Sequence, residues 1–127
     1  MADAMDSKSI GPWSVRVQVP PPALARVIAA KRVLMSRIEQ RIFQINEQLA
    51  ELVGEEERVF EELQFHRHIN DDAQRDALVS DHPEDRALAR QTGADVARFE
   101  RAVEEVRARR ARLEEKRRKL FDKLRDL

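Results

Sequence analysis

From Leu24 to Leu127 apolar residues return every three or four positions, the spacing of helices that share one seam. With Met35 as position a of a heptad, Met35, Ile42, Leu49, Glu56, Leu63 and Asn70 fall at a, and Ile38, Ile45, Leu52, Val59 and His66 at d. Eight of these eleven residues are apolar. The pattern recurs downstream, with Val96, Val103, Arg110, Arg117 and Leu124 at a and Phe99, Val106, Leu113, Leu120 and Leu127 at d. Between the two repeats lies Val79-Ser80-Asp81-His82-Pro83-Glu84-Asp85. Ser80 or Asp81 is expected to accept a bond from the first free backbone amides. Pro83 suits a first turn, and Glu84 and Asp85 suit the positive end of a helix dipole. The pattern therefore predicts a helix over about 24–79, a turn at about 80–83 and a second helix over about 83–126.

The two repeats also constrain each other. In an antiparallel hairpin each a residue shares a layer with a d residue of the other helix, so paired residue numbers add to a constant. Met35 with Leu127, Ile38 with Leu124, Ile42 with Leu120, Leu49 with Leu113, Val59 with Val103 and Leu63 with Phe99 all add to 162. Half of that is 81, inside the predicted turn. The expected fold is an all-α, long antiparallel two-helix coiled-coil hairpin. Asn70-Asp71-Asp72 leaves one point open, because Asn and Asp compete for backbone bonds and often end helices. The first helix is either continuous there or broken near Asn70.

Two helices bury a single seam, so an isolated hairpin should be marginal and should gain from a partner. A second apolar stripe points the same way: Phe43, Ala50, Val53 and Phe60 occupy b and e positions beside the seam, and Phe121 an e position on the second helix. Self-association through Phe43, Val53, Phe60 and Phe121, closing a four-helix bundle, is the favoured expectation, with docking on a different protein as the alternative.

Residues 1–23 differ from the rest: Gly11, Pro12 and Trp13, then Val15 to Val19, then Pro20-Pro21-Pro22. Val15 to Val19 alternates like a short strand but has no partner strand in the chain. The proline triplet should stop any helix arriving from the N-terminal side. The segment reads either as a disordered extension or as a non-native one. In the second case Val-Arg-Val, which GTT-CGA-GTC can encode, matches the T-arm of a transfer RNA gene read through from a start codon placed too far upstream, and Met35 is the expected natural start.

Composition narrows the functional classes. Of 127 residues 38% are charged and 5% aromatic, with three glycines and no cysteine, the make-up of long helices rather than of an enzyme core. Without cysteine there is no disulfide, thiolate zinc site or cysteine nucleophile. No apolar run approaches the roughly 20 residues of a membrane span, and no secretory leader pattern opens the chain, so a cytoplasmic protein is expected. Abundant Arg, Ala, Val and Asp suggest a GC-rich, bacterial genome. Gly11, Gly54 and Gly93 stand alone, so no phosphate-binding loop is present, and no serine has nucleophile-elbow glycines. His66, His68 and His82 lie near the turn, but His66 and His68 are two residues apart and diverge on a helix, so they are expected to be structural, with His66 against Val96. No catalytic, cofactor or metal site is expected.

Charge supplies the remaining hints. Residues 101–127 hold eleven basic and six acidic side chains, a net of +5, and residues 70–85 hold six acidic and one basic, a net of −5. The acidic tip comprises Asp71, Asp72, Asp76, Asp81, Glu84 and Asp85; the basic end includes Arg109, Arg112, Lys116, Arg118 and Lys119. Arg110 and Arg117, at seam positions, are expected to snorkel or to pair with Glu55, Glu56 or Gln48, which would help select register. Interleaved Glu104, Glu105, Glu114 and Glu115 support helical ion pairs, and nucleic-acid contact is only weakly suggested. A hairpin with a carboxylate-rich tip resembles the N-terminal coiled coil of bacterial transcript-cleavage factors, which reach into the secondary channel of RNA polymerase. That resemblance covers the hairpin alone. It implies that Asp71 with Asp72, or Asp81 with Asp85, would answer to the family's acidic pair. The expected function is that of a non-enzymatic coiled-coil interaction or scaffold module, with an RNA polymerase or nucleic-acid regulator as the alternative.

Overall fold

The computed structural model describes residues 21–127, so the expected strand at Val15 to Val19 lies outside the described residues. Two helices account for nearly all of them: α1, Pro22–Val79, and α2, Pro83–Asp126. Helix α1 starts within the proline triplet, two residues ahead of expectation. Pro22 occupies the first helical position, where its missing N–H has no intrahelical acceptor and its fixed φ already suits the helix. The chain divides into a unit ending at Arg37 and a second unit, Ile38–Leu127. In the first, the helical stretch exposes Leu24, Val27, Val33 and Leu34.

The second unit is an all-α antiparallel hairpin. Its core consists of Ile38, Ile42, Ile45, Leu49, Leu52, Leu63 and Ala73 from α1 against Ala89, Thr92, Val103 and Val106 from α2. The burial is uneven. Ile38, Ile42 and Ile45 of α1 are almost fully covered, whereas Leu113, Leu120 and Leu124 of α2 are half-buried. Met35 and Leu127, expected to form the outermost layer, are each 39% exposed.

Helix α1 runs unbroken through Asn70-Asp71-Asp72. The Asn70 carboxamide is engaged across the seam instead of competing for its own backbone. Its Oδ1 accepts from Thr92 Oγ1 at 3.0 Å and from Gln74 Nε2 at 3.3 Å, while Gln74 Nε2 also lies 3.2 Å from the Ala89 carbonyl. Thr92 is 6% exposed, so this is a polar layer inside the seam, and no buried side-chain polar atom among the described residues lacks a partner.

Asn70 with Thr92 meets the constant of 162, while other contacts between the helices run from Arg107 with Glu56 at 163 to Arg67 with Glu100 at 167. His66 stacks on Phe99, ring centroids 4.4 Å apart, rather than facing Val96. Helical side chains lean toward the N-terminus of their own helix, and the two helices are antiparallel. Long side chains that meet therefore come from slightly later positions on both, which raises the sum.

The turn differs from expectation in its capping. His82, in extended conformation, is the N-cap of α2 and makes no side-chain cap bond. Ser80 Oγ accepts from the His82 amide at 3.1 Å, closing the turn itself, and the Asp81 carbonyl accepts from Arg86. Pro83, Glu84 and Asp85 fill the first turn of α2.

Candidate interaction surface

The two lateral sides of the hairpin have opposite chemistry. On one, the e and b positions of α1 present Phe43, 67% exposed, Val53, 45%, and Phe60, 41%; Phe121 of α2 is 52% exposed. Val53 and Phe60 line a shallow groove with Glu56, Glu57, Arg107 and Arg110. Phe60 also borders a second groove with Leu63 and Val103, rimmed by Glu104, Arg107 and the Arg67–Glu100 pair at 3.5 Å. Arg117 Nη1 donates to Asn46 Oδ1 at 2.8 Å, which fixes the level of α2 beside α1 toward the open end. Phe43 precedes Asn46 by about one turn and Phe121 follows Arg117 by about one turn, so both lie at that end of the hairpin. The four candidate stripe residues are therefore exposed, and they do not share one groove.

The other side is polar. Gln48, Glu51, Glu55, Arg109, Arg112 and Lys116 border a groove of about 350 Å³ floored by Leu52 and Leu113. Arg109 Nη2 donates to Glu55 at 2.9 Å. Between the sides, at the seam, one carboxylate holds two guanidinium groups: Glu56 accepts from Arg107 Nε at 2.9 Å and from Arg110 Nη1. The Glu56 side chain is 15% exposed, which makes it the most enclosed acid of these pairs. Arg110 and Arg117 are thus satisfied by Glu56 and Asn46, which lie across the seam from them.

Much of the basic end is spent on local pairs. Arg118 bridges Glu115 at 2.6 Å and Asp122 at 3.0 Å. The hydrogen bond from Arg118, aided by its charge, holds the Glu115 carboxyl below the usual carboxylate range, and Glu115 in turn raises Arg118. Arg112, Lys116 and Lys119 are exposed and make no ion pair among the described residues.

At the tip, Asp71, Asp72, Asp76, Asp81 and Glu84 are exposed and Asp85 is half-buried. Asp72 lies 3.6 Å from Arg75 and 3.8 Å from His68. His66 sits 3.8 Å from Glu62 and is enclosed by its stack on Phe99, over which Arg98 also lies. No group of three or more metal-ligating side chains occurs among the described residues. Sequence reasoning passed over Leu78 and Val79, which are 88% and 89% exposed at the last turn of α1, and Phe65, exposed on the outer face. The seam pattern gives no signal for them, because the turn removes any opposing helix from Leu78 and Val79, and Phe65 occupies a c position away from the seam.

Comparison with known protein families, with characterised proteins and with solved structures finds no match to the chain.

Proposed function

We propose that the chain is a non-enzymatic coiled-coil interaction module that presents the apolar side of its hairpin to another helical surface. The observation that carries this reading is the exposure of Phe43, Val53, Phe60 and Phe121 beside a seam that is already closed. Each large side chain gains about 1.5 to 3 kcal/mol on full burial, and a stripe at helical spacing is what a docking helix covers. The opposite side supports the same assignment by contrast, since its groove is rimmed with charged and amide side chains and its apolar floor is already in the seam. No helix among the described residues is long and apolar enough to cross a membrane.

A photo-crosslinking phenylalanine analogue placed at Phe43 and, separately, at Phe65 tests the reading in living cells. Phe65 is exposed but lies outside the stripe, so it is the internal control. A discrete adduct from Phe43 and none from Phe65 is expected. No adduct from either position, or one from Phe65 alone, contradicts it.

A further inference from the structure

The apolar side carries a symmetry that identifies what covers it. The e and b row of α1 reads Glu39, Phe43, Asn46, Ala50, Val53, Glu57, Phe60 and Gln64. At 3.6 residues per turn these eight positions fall within an arc of about 100°. Read from its two ends the row pairs polar with polar, phenylalanine with phenylalanine, polar with polar, and small alanine with valine. Glu39 with Gln64, Phe43 with Phe60, Asn46 with Glu57 and Ala50 with Val53 all add to 103. We infer that the surface is the interface with a second copy of this chain, whose α1 docks antiparallel about a two-fold axis between Ala50 and Val53.

A two-fold axis brings one patch against itself, so a row that complements its own reversal is what such an axis requires. Here Phe43 of each copy lies on Phe60 of the other. The small side chains at the centre let the backbones approach. Asn46 faces Glu57: its Oδ1 already accepts from Arg117, which leaves its amide hydrogens to donate to the facing carboxylate.

The charge layout selects the antiparallel arrangement over the parallel one. An axis along the hairpin would set two tips of net −5 side by side, with repulsion acting over the roughly 8–10 Å of a Debye length. It would also lay Phe60 over the level of Glu104 and Arg107, the charged residues that border its grooves. The perpendicular axis sends the tips to opposite ends.

The inference rests on the interaction reading above and is tested separately from it. The chain has no cysteine, so single replacements report cleanly. Asn46→Cys and Glu57→Cys leave both stripe phenylalanines in place, and the two positions are about 16 Å apart along one helix. Mixing the two variants under mild oxidation is expected to give a mixed disulfide dimer, whereas neither variant alone crosslinks. A disulfide between Asn46→Cys and Arg118→Cys instead identifies the parallel arrangement and overturns the antiparallel one, with self-association retained. A monomeric mass at high micromolar concentration, with the Phe43 photo-adduct still formed in cells, overturns the second copy as partner while the interaction reading stands. Loss of both the dimer and the adduct removes both.

Discussion

The two sides of the hairpin share one seam and one pair of helices, yet one presents a charged groove and the other presents large exposed apolar side chains beside its ion pairs. Glu55 with Arg109, and the exposed Arg112 and Lys116, give the charged side a surface content with water. Phe43, Val53, Phe60 and Phe121 give the apolar side a surface that water penalises. The difference separates what holds the fold from the surface proposed to engage a partner. Seam residues and the Glu56 pairs hold the helices together, and the row beside them is free to engage something else.

The largest effect is expected at the seam on which both sides depend. Leu49→Ala removes a buried side chain and should cost about 2 to 4 kcal/mol. Leu113→Ala, expected from periodicity alone to match it, should cost clearly less because Leu113 is half-buried. Thermal and denaturant unfolding measure both, and equal losses would contradict the uneven burial.

Acidic pairs sharpen the contrast between the sides. Glu56→Ala leaves Arg107 without its carboxylate and part-buried Arg110 with only the more distant Glu114, and should cost about 1 kcal/mol. Glu55→Ala breaks an exposed pair and should cost about 0.5 kcal/mol or less. A reversed order in unfolding measurements would mean that the charged side, not the seam pair, sets the register.

Gly54 lies on neither side and separates stability from association. Its φ is negative, and an added Cβ would meet only the end of Arg58 at 3.7 Å. Gly54→Ala should therefore stabilise α1 by about 0.5 to 1 kcal/mol, with the oligomeric mass unchanged.

The smallest effect concerns Glu115, whose carboxyl is held low by the Arg118 hydrogen bond. A depressed folded-state value contributes stability that is present above the ordinary carboxylate range and is lost as pH falls through the lowered value. The group is exposed, so the contribution is slight. An NMR titration should show the Glu115 midpoint below the ordinary carboxylate value, rising toward it in Arg118→Gln. No change in the variant would contradict the assigned cause.

How much of this was legible in the sequence follows from which interactions are periodic. The helices, the turn and most of the seam depend on apolar spacing, and Ile38 to Leu52 lie where that spacing puts them. The polar layer does not: Thr92 occupies a d position and the constant of 162 pairs it with Asn70, but a search for apolar repeats passes over both. That layer is also why α1 continues through Asn70-Asp71-Asp72, a choice that local propensity leaves open. The stacking of His66 on Phe99 depends on side-chain lean, which spacing alone does not encode. The stripe residues were found as a deviation from the heptad, whereas Leu78 and Val79 have no periodic signal because α1 ends there.

Sedimentation of the wild-type chain beside Phe43→Glu with Phe60→Glu tests the central claim most directly. The double variant places carboxylates against one another across the proposed axis and leaves the seam intact. The account predicts a wild-type dimer whose melting temperature rises with protein concentration, and a variant that stays helical at the mass of one chain. A wild-type protein that is already monomeric at high micromolar concentration, with concentration-independent melting, would contradict it.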